Sequence, residues 1–206
     1  MEKFFAGYRA FREDYFKKHR AMIGELMTRK QSPQAMMIAC SDSRIDPSLK
    51  FGADPGDLFM VRNVAALVPP YMPDSEYHGT SAAVEFAVKV LGITNIIVMG
   101  HARCGGINAL VNHEERVATD FVAGWMHIAE PALARAYNLA KPEERQRVCE
   151  QEAVKVSLTN LMTFPWVKER VESGALTLHG WYFDLETGTL HTLDKNGDFA
   201  PVPGES

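Results

Sequence analysis

The stretch that decides the fold reads Asn95-Ile96-Ile97-Val98-Met99-Gly100-His101-Ala102-Arg103-Cys104-Gly105-Gly106. Its first half is an apolar run without alternation, which is typical of a strand buried in a parallel sheet. A helical pattern over residues 80–91, capped by Thr80 or Ser81, ends at Gly92 just before this strand. A further helix is expected over residues 104–112. Strand, helix and strand in this order imply a right-handed crossover and a parallel sheet.

Further elements are expected on both sides of this stretch. They are buried strands over residues 35–40 and 58–61, mostly helical layers over 119–140 and 143–161, and a helix that begins at 164–166. The alternating residues 175–183 and the segment 190–193 predict a hairpin that adds an antiparallel strand. We therefore expect an α/β fold with a mainly parallel sheet, a C-terminal antiparallel edge strand and flanking helices.

The first 30 residues are expected to form a helical arm. Aromatic side chains recur at helical spacing over residues 3–29 with charges on the other face, which predicts one long amphipathic helix. Pro33 lies just beyond its end. Either the core of the same chain or a partner subunit covers the aromatic face, and a partner is our expectation. With no linker or repeat elsewhere, residues 1–206 form a single domain that includes this arm of residues 1–30.

The composition limits the classes of function. Of the 206 residues, 46% are hydrophobic and 23% are charged, as in an ordinary globular domain. The net charge of −4 indicates no binding to nucleic acid or to an anionic membrane. The apolar runs are far shorter than the roughly 20 residues of a membrane-spanning helix, and the charged N-terminal segment lacks the apolar core of a signal peptide. We therefore expect a cytoplasmic protein with neither nucleic acid nor a membrane as partner.

Two segments place soft metal ligands directly after buried strands. Cys40 ends the first predicted strand, and His101 ends the strand that begins at Asn95, with Cys104 three residues later. The carboxyl ends of parallel strands share one edge of the sheet, where ligand sites form. Two cysteines and one histidine are a complete set of three protein ligands for zinc and leave the fourth tetrahedral position open.

Other roles for these residues stay open at this point. The three cysteines and the expected reducing compartment argue against a disulfide framework. One disulfide bond between Cys40 and Cys104 remains compatible with the sequence, as does a non-enzymatic thiol sensor that uses the two cysteines. Asp42 is a further candidate ligand, although Arg44 favours an ion pair that draws its carboxylate off the metal. Cys149 has no ligand nearby, and we expect it to be a packing residue.

Taken together, the motifs resemble those of the β-class carbonic anhydrase family. The resemblance rests on Cys40-Ser41-Asp42-Ser43-Arg44 with Pro47, on Val61-Arg62-Asn63-Val64-Ala65, and on Gly100-His101 through Cys104-Gly105-Gly106. It implies one zinc ion per subunit held by Cys40, His101 and Cys104, a homodimer or tetramer, and reversible hydration of carbon dioxide to bicarbonate and a proton. It also implies that Asp42, paired with Arg44, orients the zinc-bound hydroxide that attacks carbon dioxide.

The same resemblance implies which residues contact the substrate. Gln31 corresponds to a glutamine that donates a hydrogen bond to the substrate from near the subunit interface. Phe59 and Val64 correspond to residues that line a narrow apolar pocket, and Gly105 to a position whose backbone N–H faces that pocket. Phe86 stands where many plant relatives carry a tyrosine.

One departure concerns regulation. Met37 stands where the bicarbonate-inhibited bacterial subgroup carries a tryptophan that its regulatory anion site requires. The resemblance therefore implies the subgroup without the bicarbonate regulatory site. Action on carbon disulfide or carbonyl sulfide, a known departure within the family, stays open because pocket shape decides it.

Overall fold

A single sheet carries the functional edge of the molecule. The structure is a computed structural model that describes residues 1–74, 76–114 and 118–203. In this part of the chain the strands are Ala35–Cys40 (β1), Leu58–Asn63 (β2), Asn95–His101 (β3), Thr177–Phe183 (β4), Leu190–Leu193 (β5) and Phe199–Pro201 (β6). Their spatial order is β2-β1-β3-β4-β5-β6. The strands β1 to β4 are parallel and the last two are antiparallel, which confirms the predicted sheet, with β6 as an addition.

Helices fill the connections, as the pattern predicts. The α-helices of the described residues are Glu2–Ala10 (α1), Arg20–Thr28 (α2), Pro47–Phe51 (α3), Gly79–Glu85 (α4), Gly105–Val111 (α5), Val122–Met126 (α6), Glu130–Leu139 (α7), Arg145–Leu161 (α8) and Pro165–Glu172 (α9). Wider π-helical turns at Phe11–Phe16 and Phe86–Leu91 extend α1 and α4, and short 3₁₀ turns lie at Val64–Ala66 and His127–Ala129. None of these helices has both the length and the apolar composition needed to cross a bilayer.

The central strands are buried on both faces. Met36, Ile38, Ile96 and Val98 contribute to one hydrophobic cluster, which helices α4, α8 and α9 complete. The alternate residues of the same strands, such as Met37, belong to a second cluster on the opposite face. Since both faces are covered, these strands show the continuous apolar runs from which they were predicted.

The start of α4 differs from the prediction for a tertiary reason. Neither Thr80 nor Ser81 caps the helix, since its cap position is His78 without a side-chain capping bond. The Thr80 hydroxyl instead accepts a hydrogen bond from the side-chain amide of Asn63, at 3.2 Å. The Thr80 hydroxyl, which the sequence pattern assigned to capping, thus forms a contact between β2 and α4 instead.

The N-terminal arm is helical from residue 2 to residue 28, but its geometry is not uniform. A π-helical segment and a non-helical His19 interrupt the predicted single helix. The second half of the arm touches the rest of the chain, because the Tyr15 hydroxyl hydrogen-bonds Asp54 at 3.2 Å and the Leu26 side chain lies over Gly56. By contrast, every residue of α1 is exposed, whereas the second half of the arm has partly buried residues. The core of the same chain therefore does not cover the aromatic face of α1.

Candidate metal centre and active site

Three potential metal ligands converge at the carboxyl edge of the sheet. Cys40 is the last residue of β1 and His101 the last of β3, while Cys104 directly precedes α5. All three are buried, and their ligand atoms lie within 4.8 Å of one another. The two sulfurs are 4.0 Å apart, far beyond a disulfide bond of about 2.05 Å. Two thiolates on a tetrahedral zinc at about 2.3 Å lie about 3.8 Å apart, so the spacing suits a shared metal.

One nitrogen of the His101 imidazole is hydrogen-bonded to the backbone, and the other has no hydrogen-bond partner among the described residues. Its Nδ1 lies 2.9 Å from the backbone oxygen of Ala102, which requires a proton on that nitrogen. Its Nε2 is buried and, among the described residues, has no hydrogen-bond partner. The lone pair of Nε2 is thereby left for a metal, and the Ala102 carbonyl fixes the ring as outer partners of ligating histidines do.

The electrostatics of the two thiols also suit a cation. A hydrogen bond from the Cys104 thiol lowers the pKa of Cys40 to about 4. The same Cys40 sulfur, together with burial, raises the pKa of Cys104. Two thiols this close do not both ionise unless a cation neutralises them, and a coordinated thiol is deprotonated outright. The residues present therefore fit a divalent metal with a preference for sulfur.

The backbone between His101 and Cys104 turns sharply to bring both side chains to one point. Arg103 adopts a left-handed conformation with φ of 58°, which is uncommon for a residue with a Cβ. Past this turn, the backbone N–H groups of Gly106 and Ile107 act to lower the pKa of the Cys104 thiol, against the larger effects of Cys40 and burial, which raise it. Gly106 is required there, because a Cβ at this position would lie 2.8 Å from Cγ1 of Val64.

Asp42 and Arg44 form a bidentate pair beside the ligands. The Arg44 Nε donates to Oδ1 of Asp42 at 2.9 Å and its Nη2 to Oδ2 at 2.6 Å. These bonds hold the pKa of the Asp42 carboxyl well below its ordinary value. The backbone N–H of Asp42 also donates to the Cys40 sulfur at 3.4 Å. The carboxylate is thus ionised, held by a guanidinium and directly adjacent to a ligand.

Arg62 is a supporting residue to which the sequence analysis gave no role. Its Nε donates to the carbonyl of Cys40 at 2.9 Å and its Nη2 to the carbonyl of Asp42 at 2.7 Å; it also contacts the carbonyl of Ile45. These bonds fix the loop that carries both the first ligand and the carboxylate. The sequence feature that could have indicated this role is the place of Arg62 in the Val61–Ala65 motif, at the end of a strand next to β1.

The four predicted substrate contacts do not meet within one chain. Val64 directly follows β2 and packs against Gly106, so it lies beside Gly105 and the ligands. Phe59 is near the start of β2, opposite Met36 of β1, where it stacks on Phe86 with ring centroids 5.8 Å apart. The positions of Met36 and Cys40 are separated by about 13 Å along β1, at roughly 3.3 Å per residue.

Gln31 lies on the amino-terminal side of β1. It is exposed and precedes β1, whose carboxyl end carries Cys40. The predicted contacts therefore fall into two groups, with Val64 and Gly105 at the metal edge and Gln31 and Phe59 toward the opposite edge.

Comparison with known proteins identifies the family of this chain. A family model described as carbonic anhydrase matches residues 35–190. A carbonic anhydrase of Pseudomonas aeruginosa is 39% identical over 196 residues, which cover 94% of this chain and 88% of that protein. Beta carbonic anhydrase 3 of Arabidopsis thaliana is 36% identical over 209 residues, covering 98% of this chain and 80% of that protein. The chain belongs to the β-class carbonic anhydrase family.

Solved structures agree with this assignment. The β-carbonic anhydrase CcaA matches with a TM-score of 0.88 and 32% identity, over 100% of this chain and 93% of that one. A tetrameric β-carbonic anhydrase of Sordaria macrospora matches with a TM-score of 0.72 and 28% identity, over 97% and 94% of the two chains. This β-carbonic anhydrase is therefore an enzyme of the class that hydrates carbon dioxide. The residues that the family model matches include the candidate ligands Cys40, His101 and Cys104 and the pair of Asp42 and Arg44, whereas Gln31 precedes them.

Proposed function

We propose that this enzyme converts carbon dioxide reversibly to bicarbonate and a proton, with one zinc ion per subunit held by Cys40, His101 and Cys104. The observation that carries the proposal is the convergence, at the strand ends, of two buried thiols and one imidazole nitrogen that no described residue hydrogen-bonds. Thiolate and imidazole ligands favour zinc over magnesium or calcium, which prefer oxygen. Zinc with three protein ligands supplies Lewis acidity that lowers the pKa of a water in its open position.

The pair of Asp42 and Arg44 acts on the nucleophilic oxygen in this proposal. Oδ1 of Asp42 already accepts two hydrogen bonds, from the backbone N–H and the Nε of Arg44, whereas Oδ2 accepts one from Nη2 and has a lone pair remaining. The carboxylate can therefore accept a hydrogen bond from the attacking oxygen. This bond would orient the free lone pair of the attacking oxygen toward carbon dioxide. Because the guanidinium occupies both carboxylate oxygens, it also opposes movement of Asp42 onto the metal.

A second subunit completes the substrate pocket in this proposal. Carbon dioxide is small, linear and uncharged, so an apolar slot with a few polar groups suits it. Val64 and the backbone N–H of Gly105 provide the half of the slot next to the ligands. The Phe59 ring and the Gln31 amide lie near the other end of β1, so they reach a metal centre only in a partner subunit. This division supports a homodimer or a tetramer, as does the tetrameric relative.

We also propose that the enzyme belongs to the subgroup without the bicarbonate regulatory site. Met37 is fully buried in an apolar cluster and offers no hydrogen-bond donor to an anion. Bicarbonate is then expected to act only as product. A cytoplasmic location is likewise our proposal, supported by the three free cysteines, two of which must stay reduced to bind metal.

Cysteine variants test the metal site with a control from the same chain. Cys40→Ser and Cys104→Ser remove a sulfur ligand, whereas Cys149→Ser removes an equally buried thiol that lies outside the cluster. We expect the first two variants to lose zinc and the hydration of carbon dioxide, and Cys149→Ser to retain both per folded chain. Metal content by mass spectrometry and stopped-flow hydration with a pH indicator are the measurements. Zinc-free, active Cys40→Ser and Cys104→Ser variants would contradict the proposal.

A further inference from the structure

A buried carboxylate that the proposed mechanism does not use lies behind the metal cluster. Glu150, on α8, is 3% exposed. Its Oε1 accepts hydrogen bonds from the backbone N–H of Cys104 at 3.0 Å and from the Gln146 side-chain amide at 2.9 Å. Its Oε2 accepts one from the Tyr182 hydroxyl at 2.8 Å. Burial of a carboxylate costs free energy unless it is paired or well hydrogen-bonded, so its presence beside a ligand requires a reason.

The backbone N–H that donates to Glu150 lies at a position where the helix itself offers no hydrogen-bond acceptor. Cys104 is the cap residue of α5, and its side chain makes no capping bond. The first N–H groups of a helix have no partner within the helix. In a capping box, a glutamate of the same helix accepts from the N–H of the cap residue. Here Glu150 accepts that bond from a different helix.

The same helix also contacts the strand that carries the second ligand. A Cβ at Gly100 would lie 2.7 Å from Cγ2 of Val154 and 3.4 Å from the carbonyl oxygen of Glu150. Helix α8 therefore packs directly on the backbone of β3, one residue before His101. Two independent contacts therefore link α8 to the segment from Gly100 to Cys104.

We propose that Glu150 is a positioning residue for the metal: its hydrogen bond to the Cys104 N–H fixes the backbone from which the Cys104 sulfur points into the cluster. This inference rests on the proposed metal site. Gln146 and Tyr182 hold the carboxylate in place, and Gln146 is in turn held by Asn108 of α5 at 3.0 Å. The network thus ties the start of α5 to α8 and β4, so the sulfur is placed before the metal arrives.

The chain offers a matched control on the same helix. Glu152 is also buried, at 6% exposure, but it pairs with Arg135 at 3.2 Å and with Lys155 at 2.6 Å. Replacing Glu152 removes a buried carboxylate and its ion pairs with Arg135 and Lys155 but leaves the ligand-bearing segments unchanged. A difference between Glu150 and Glu152 variants therefore separates positioning of the metal from general stability.

The test is the zinc affinity of folded variants, measured by competition with a chromophoric chelator. Removing an outer partner of a metal ligand typically lowers metal affinity about 10–100-fold, and we expect a loss in this range for Glu150→Ala. Glu150→Gln keeps an oxygen that accepts from the Cys104 N–H, so it should retain most of the affinity. Glu152→Ala should bind zinc as the wild type does. In the cobalt-substituted proteins, the thiolate-to-cobalt absorption band should change in Glu150→Ala alone.

A second variant guards against a Glu150→Ala protein that does not fold. Tyr182→Phe combined with Gln146→Ala leaves the Glu150 carboxylate in the chain but removes two of its donors, so zinc affinity should again fall while Glu152→Ala does not change. Wild-type zinc affinity in the folded Glu150→Ala or double variant, or an equal loss in Glu152→Ala, overturns the role of Glu150. A wild-type protein that binds no zinc contradicts the proposed function itself, which keeps the two failures distinct.

Discussion

At the scale of single residues, Arg44 joins the two segments that carry the ligands. Its guanidinium binds both oxygens of Asp42, and its Nη2 also donates to the carbonyl of Arg103 at 2.8 Å. That carbonyl belongs to the left-handed residue of the turn between His101 and Cys104. One side chain therefore controls the carboxylate and the second ligand segment together.

The first prediction concerns this pair. Asp42→Asn and Arg44→Ala should each retain one zinc per chain but lose most of the hydration activity, because the three ligands stay while orientation and charge balance fail. Zinc content and stopped-flow turnover are measured on the same samples. Arg135→Ala, which breaks another carboxylate–guanidinium pair away from the ligands, should leave turnover unchanged. Loss of zinc from either of the first two variants would show that the pair is structural instead.

The rate is expected to depend on pH through the proposed metal-bound water rather than through Asp42. The pKa of Asp42 is lowered by its bonds to Arg44, so this carboxylate is ionised throughout the neutral range and adds no step there. A zinc ion held by three neutral histidines lowers the pKa of its bound water to about 7. In the proposed site, the two thiolates would neutralise the charge of a bound zinc ion, so its water should be less acidic than that. The rate should therefore still rise as the pH passes above neutral.

At the scale of elements, the sequence predicted the strands and their ends better than the support behind them. Apolar runs revealed β1 and β3, and parallel strands must place Cys40 and His101 at one edge. Strand β6 was missed because it has three residues, one of them proline. Glu150 was missed because its partners are distant in the sequence: Cys104 is 46 positions away and Tyr182 is 32 positions away. No local sequence pattern encodes contacts over such a separation.

The second prediction concerns the contact between α8 and β3. Gly100→Ala places a methyl group against Val154, and overpacking of this kind typically costs about 1–3 kcal/mol of unfolding free energy. Val154→Ala removes the obstructing atom, so the double variant should lose less stability than the sum of the single losses. Urea unfolding of the zinc-loaded proteins measures the coupling. Strictly additive losses would mean that the helix and strand do not meet as closely as described.

At the scale of the whole molecule, one chain leaves two features incomplete. Helix α1 exposes Phe4 and Tyr8, at 69% and 59%, on a segment without buried residues. The predicted substrate contacts are divided between opposite ends of β1, as described above. The proposed second copy of the chain would resolve both features, since it would cover the aromatic face and supply the distant half of the pocket.

The third prediction tests this assembly. Phe4→Ser combined with Tyr8→Ser should weaken subunit association at least tenfold, because full burial of one such ring contributes roughly 1.5–3 kcal/mol. Sedimentation velocity over a range of concentrations measures the change. Tyr77→Ser, which alters a fully exposed tyrosine outside the arm, should leave association unchanged. If the double variant associates like the wild type, α1 is not part of the interface.

The proposed metal site is tested most directly by measuring zinc content and carbon dioxide hydration on the same samples at two pH values. About pH 6.5 and pH 8.5 are suitable, because they lie below and above the pKa of about 7 of a water on zinc held by three histidines, and the water proposed here should be less acidic. We predict one zinc per chain, a higher rate per zinc at the higher pH, loss of activity when a chelator removes the metal, and recovery in proportion to the zinc returned. A metal-free protein that hydrates carbon dioxide undiminished, or a zinc-loaded protein that does not accelerate the reaction, would contradict the account.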